Sequence, residues 1–235
     1  MCQLKSGILL KDRVFIPDYD SHEDMLGELK IKDTEENAKR LFVRAELIPP
    51  NDDVFAPVSS WKYHIDQDIL PEWYVPEVDE KRMRDAVAEW AKKHIHIGEK
   101  IEEINSGTHW IKDGTVDVIG GSAEIRELCG SADVENIFDS AKVESVYGSA
   151  KVGCVYGSAQ VGCICGYAEV DNICGSAKVV NVFGSATVMT DSVSKWYNED
   201  GVCIKDNAVL IDRYKKKIYH AGAFETVIAG VKENE

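Results

Sequence analysis

Residues 148–170 read GSAKVGCVYGSAQVGCICGYAEV, nearly the same nine residues said again and again. Set in register, the repeat begins at Gly121, Gly130, Asp139, Gly148, Gly157, Gly166, Gly175 and Gly184. Every step is nine residues, and the consensus is G-S-A-x-V-x-x-V-x. A weaker copy runs from Lys112, with Gly114, Val116 and Ile119 at the matching places. A fixed short period marks a solenoid, in which each unit buries its apolar face against its neighbours.

Each position has a physical reading. The third is Ala in every copy, from Ala123 to Ala186, which predicts an inward site with little room. The fifth is Val or Ile, and alternation along a strand puts it on the same face as the third. The eighth is apolar from Leu128 to Val182. Fifth to eighth is an odd spacing, so a bend must fall between them if both point inward. The first position, mostly Gly, marks a second bend with positive φ. Each nonapeptide therefore reads as a short strand, a bend, a shorter apolar segment and a bend.

The outward fourth position decides how many nonapeptides close one coil. Rungs stack roughly 4.8 Å apart, and like charges directly above one another are unfavourable. With two repeats per coil, one column reads Glu124, Lys142, Gln160, Lys178 and the other Asp133, Lys151, Glu169, Thr187. Neither holds like-charge neighbours. Three repeats would stack Lys151 on Lys178, and one would stack Glu124 on Asp133. The sequence thus predicts 18 residues per coil and about four and a half coils from the nine nonapeptides.

Repeats of this kind resemble the nonapeptide-repeat members of the parallel β-solenoid class. The calcium-binding β-rolls in that class carry an Asp in G-G-x-G-x-D-x-U-x. Here the sixth position varies from Arg126 to Met189, so calcium is not implied. The hexapeptide members include acyltransferases, but their catalytic His has no counterpart in these repeats. The whole chain is also similar to uncharacterised repeat proteins of gut bacteria and their phages, a resemblance that implies no activity.

The repeat divides the 235-residue chain into three blocks. Residues 1–105 read as an α+β domain, residues 106–192 as the solenoid, and residues 193–235 as a small β cap. In the first block, Ser6–Leu10, Arg13–Pro17, Arg40–Ile48 and Trp61–Ile65 read as strands. Ser21 caps one helix, a shorter one follows Asp33, and Asp79 is placed to cap the clearest helix. Met83, Val87, Trp90 and Ala91 form that helix's apolar stripe. In the last block, Asp206-Asn207-Ala208-Val209-Leu210 echoes the repeat as a distorted rung.

The net charge of −14 argues against a nucleic-acid backbone as direct partner, because binding phosphates needs clustered Lys and Arg. It leaves room for an acidic protein that occupies a basic groove. No apolar run reaches the ~20 residues of a membrane span. The seven cysteines fit a reducing, cytoplasmic setting with free thiols. No secretory leader is read in MCQLKSGILLKDR. Open solenoid ends and flat faces invite self-association, so a homodimer is among the expectations.

Three sets of residues carry candidate chemistry. Removal of Met1 would expose Cys2 as an N-terminal nucleophile with both thiol and amine. The Met-Cys start with Arg44-Ala45-Glu46 is similar to the DNA–protein crosslinking family that captures abasic sites. That resemblance implies Cys2 as nucleophile with Glu46 and His64 assisting. The chain lacks the Gly-Arg that follows Cys in that family, and its spacing to the glutamate is shorter. The plain alternative is an ordinary cysteine at the start of a strand. His94 and His96 form H-x-H, which on a strand points both imidazoles the same way, as metal ligands need. The alternative is a helix-end histidine followed by a surface one. Cys154, Cys163, Cys165 and Cys174 sit at positions that other copies fill with Asn, Ser, Tyr or Phe, so they read as structural filler rather than a zinc site. No cofactor is expected. The leading functional expectation is a non-enzymatic protein-interaction module. Its rivals are an acidic nucleic-acid mimic and an N-terminal-cysteine enzyme or crosslinker.

Overall fold

A computed structural model describes residues 4–190, 202–221 and 223–227, the last five as backbone alone. The chain divides into two compact units, Met1–Ile95 and His96–Glu235.

The first unit carries β1 (Lys5–Leu10), β2 (Val14–Phe15), α1 (His22–Glu28), α2 (Glu35–Ala38), β3 (Phe42–Ile48), β4 (Lys62–Ile65) and α3 (Pro76–His94). Its antiparallel sheet runs in the order β2-β1-β3-β4. The central strand β1 is buried on both faces. On one face Gly7 meets Met83 of α3 and Lys5 lies over the Trp90 ring, 4.8 Å from its centroid. On the other, Ile8 packs with Met25 and Leu26 of α1, Ala38 of α2 and Phe42. Ser21 caps α1 by accepting from Asp24 N, and Thr34 caps α2 by accepting from Asn37 N.

The start of α3 differs from the sequence reading. Pro76 opens the helix, where its fixed φ suits the first turn. Asp79 sits one turn in and buried, accepting from Val75 N at 2.7 Å and from Arg82 Nη1 at 2.6 Å. Met83, Val87 and Trp90 form the buried stripe as expected, and His94 extends it.

The second unit is a parallel β-solenoid of about six turns. Its strands are β5 (Ile95–Ile97), β6 (Lys100–Ile104), β7 (Thr108–Lys112), β8 (Thr115–Ile119), β9 (Glu124–Cys129), β10 (Asp133–Ile137), β11 (Lys142–Val146) and β12 (Lys151–Val155). They continue with β13 (Gln160–Ile164), β14 (Glu169–Ile173), β15 (Lys178–Val182), β16 (Thr187–Thr190), β17 (Cys203–Ile204), β18 (Val209–Asp212), β19 (Lys217–His220) and β20 (Ala223–Val227). Alternate strands build two sheets, of order β20-β19-β18-β16-β14-β12-β10-β8-β6 and β17-β15-β13-β11-β9-β7-β5.

The 18-residue coil is borne out residue by residue. Glu124 pairs with Lys142, Lys142 with Gln160, and Gln160 with Lys178. In the other sheet Asp133 pairs with Lys151, Lys151 with Glu169, and Glu169 with Thr187. The third, fifth and eighth positions are buried throughout and form one apolar core. Positions four to eight make one continuous strand rather than two segments. The bend required by the odd spacing falls inside it: pairing passes from Val134–Val152 directly to Asn136–Cys154 and skips the sixth residue. At the first position φ is positive, 73° at Gly148 and 56° at Asp139. Coil-to-coil hydrogen bonds run on through these turns, as in Ser149 N to Gly130 O at 2.8 Å, so the turn backbone also stays paired.

The solenoid is longer than the repeat predicts. It gains strands before the repeat because β6 pairs in parallel with β8, and β7 with β9. It gains strands after the repeat because β17 pairs with β15, and β18 with β16. The Asp206–Leu210 echo is therefore a true rung. The antiparallel strands β19 and β20 then end the larger sheet.

Candidate functional site

Antiparallel pairing in the first unit sets three polar side chains in a row. Ser6 of β1 is opposite Glu46 of β3, and Glu46 is opposite His64 of β4. Directly opposed residues share a face of the sheet, here the face that carries α1 and α2. His22 opens α1 over this row, and Asp66 follows the end of β4, its N–H held by Arg44 O at 3.0 Å.

The cluster is tight. His22 Nδ1 lies 3.2 Å from Asp66 Oδ2. One ligand atom from each of His22, Glu46 and Asp66 falls within 4.8 Å of the others. His22 is mostly buried, Glu46 half-buried and Asp66 exposed. Burial is the main force raising the Glu46 carboxyl above the usual carboxylate range. Asp66 and Asp20 push it the same way, while His22 and His64 oppose them. Ser6 Oγ of the row and His22 Nε2 above it are buried without a hydrogen-bond partner.

Beside the cluster lies a groove of about 680 Å³. Asp33, Glu35, Arg44, His64, Asp66 and Asp68 supply its charged and titratable lining. Arg44, the cation of this set, is ion-paired with Asp33.

The structure thus brings Glu46 and His64 together as direct neighbours. Cys2 lies outside the described residues. His94 and His96 have separate partners. His94 closes α3, stacks on Trp90 at 4.8 Å and reaches Asp18 at 3.2 Å. His96 meets Glu99 at 3.0 Å and His109 at 3.1 Å. Cys154 and Cys163 fall on opposite sheets, and burial pushes the Cys163 thiol up to about 12, with Cys165 adding to the shift. Such a thiol stays protonated and is a poor ligand or nucleophile. Phe138 and Tyr156 stack at 5.2 Å, one coil apart, as ordinary rungs. Sequence reasoning missed His22, Asp66 and Ser6. Their strongest signal was position: Ser6 lies on a readable strand, and His22 follows a readable cap.

Comparison with protein-family models, with curated proteins and with solved structures finds no match for the chain. Its class is therefore set by the fold: a parallel β-solenoid protein with a small α+β unit. Among the described residues no helix is long and apolar enough to cross a membrane.

Proposed function

We propose that the chain is a non-enzymatic protein-binding module. The solenoid is a rigid carrier, and the groove of the first unit is the contact surface for a basic segment of a partner protein. The observation that carries this reading is the groove's charge. Four carboxylates, Asp33, Glu35, Asp66 and Asp68, face one guanidinium that is already paired. Such a lining attracts Lys or Arg and repels phosphate. The solenoid core, by contrast, is filled by Ala, Val, Ile and Leu, and its fourth-position columns mix acids with Lys142, Lys151 and Lys178. These mixed columns speak against mimicry of a nucleic acid, which needs continuous negative charge. The free thiols suit a cytoplasmic setting. On this reading the partner is a host protein, and the module acts as its antagonist.

The test is selection of a random peptide library on the immobilised full chain. The reading expects enrichment of Lys- and Arg-rich peptides, with binding weakened about tenfold in the Glu35→Gln/Asp68→Asn variant. Enrichment of sequences without basic residues, or equal binding by that variant, would overturn it.

A second reading has one observation in its favour. Glu46 and His64, the residues named as assistants to an N-terminal cysteine, are register partners. That reading expects Cys2, freed of Met1, to condense with an aldehyde probe to a thiazolidine with loss of water. Intact mass spectrometry reads the outcome, and retention of Met1 or equal labelling of a Cys2→Ala variant would end it.

A further inference from the structure

The His22 cluster has a feature that a binding groove does not require. Asp66 Oδ2 is an acceptor, and His22 Nδ1 is 3.2 Å from it. That nitrogen is therefore the one turned toward the carboxylates, and Nε2 lies on the far edge of the ring. Nε2 is shut off from solvent and meets no donor, while the side chain as a whole is only 11% exposed. Ser6 is 1% exposed, stands directly opposite Glu46, and its hydroxyl is likewise unpartnered. An imidazole nitrogen and two carboxylates drawn together, beside a buried hydroxyl with no partner, describe a place fit for a cation.

We propose that His22, Glu46 and Asp66 bind a divalent transition-metal ion of the zinc class. One imidazole and two carboxylates suit Zn²⁺ or Mn²⁺, whereas Ca²⁺ and Mg²⁺ prefer all-oxygen shells. Zinc ligands sit about 2.0–2.2 Å from the metal, which in a tetrahedron separates them by about 3.4 Å. The His22–Asp66 pair already has that spacing. Bringing all three donors from within 4.8 Å to that spacing needs only side-chain rotation at half-buried Glu46 and exposed Asp66. The metal's charge would also offset the mutual repulsion of the two carboxylates. Three protein ligands leave a fourth position open to water or to a donor from a bound molecule.

The site shares Asp66 with the groove of the basic-segment reading, but Glu35 and Asp68 are not in the ligand set, so the Glu35→Gln/Asp68→Asn variant should lose peptide binding and keep metal binding. The experiment titrates chelator-treated full chain with Zn²⁺ by calorimetry and with Co²⁺ by visible absorption. Saturation at one ion per chain is expected, with ligand-field bands of a nitrogen and oxygen shell. Loss of an outer-shell partner alone costs roughly 10–100-fold in affinity. His22→Ala and Glu46→Gln should therefore each weaken binding at least about tenfold. Asp66→Asn alters an exposed side chain and should act likewise without disturbing the fold, which thermal unfolding of the metal-free variants checks. Unchanged affinity in Asp66→Asn and His22→Ala would overturn the proposal. So would absence of saturable binding in the wild type, or a cobalt–thiolate charge-transfer band assigning the ion to cysteines.

Discussion

Lys142 pairs in register with Glu124, 18 residues earlier and one coil away, its Nζ 3.8 Å from the Glu124 carboxylate. The same column continues through Gln160 to Lys178. Sign alternation along such a column costs nothing in the core and removes repulsion between rungs. Substituting Gln160→Lys would set three lysines in line. We expect a loss of about 0.5–1 kcal/mol, read as a lowered unfolding midpoint at low salt. Because the groups are exposed, the loss should largely vanish near 1 M salt, where screening acts within a few ångströms.

The turns are less tolerant. Gly148 has φ 73°, and a Cβ there would lie 2.9 Å from Gly130 N and O of the coil before. Gly148→Ala should cost about 1–2 kcal/mol from left-handed strain alone, with the contact adding to it. Asp139 adopts the same conformation, and Gly121 N donates to its carboxylate at 3.3 Å. Asp139→Ala should therefore destabilise as well, whereas Asp139→Gly should cost less. Chemical denaturation of the three variants gives the ranking.

Inside the coil, Ala150 is fully buried between rungs. Ala150→Leu forces extra volume into a filled column and should cost about 1–3 kcal/mol. Val152→Ala removes two methyl groups from the same layer and should cost a similar amount. Equal stability of either variant with the wild type would mean that the core is not packed as described.

The Glu46 carboxyl gives a pH signature in the metal-free chain. Burial holds its pKa above the ordinary carboxylate value. A raised carboxyl binds its proton more tightly when folded. Its contribution to stability is thus full below the ordinary carboxylate range and is lost as pH rises through the folded value. Glu46→Gln should then match or exceed the wild type in unfolding midpoint at neutral pH without metal. Added Zn²⁺ should stabilise the wild type more than the variant, by the difference in their affinities.

Thiol chemistry separates the cysteines. Cys163, pushed up to about 12 by burial, should react slowly with a maleimide at pH 8. Exposed Cys203 should react first. Peptide mapping after timed labelling checks the order.

The solenoid was legible because its period writes the register directly: the columns Glu124–Lys142 and Lys151–Glu169 could be named before any coordinates. Its length was not, because β6 and β7 lack the G-S-A turn and hold their places by backbone pairing to the next coil. The start of α3 was misread because Val75 is a cap without a capping side chain, while Asp79 has one and uses it a turn later. In the site, Glu46 and His64 were nameable from strands. His22 and Asp66 come from separate segments and meet only through the fold of the sheet and α1, and no local spacing encodes such a meeting.

The central claim is that recognition belongs to the first unit and not to the solenoid face. Hydrogen exchange of the full chain with and without a selected basic peptide tests it most directly. Added protection is expected in residues 33–38 and 65–69, with the solenoid strands unchanged. Protection confined to strands between Glu124 and Val182, with the groove segments unaffected, would contradict it.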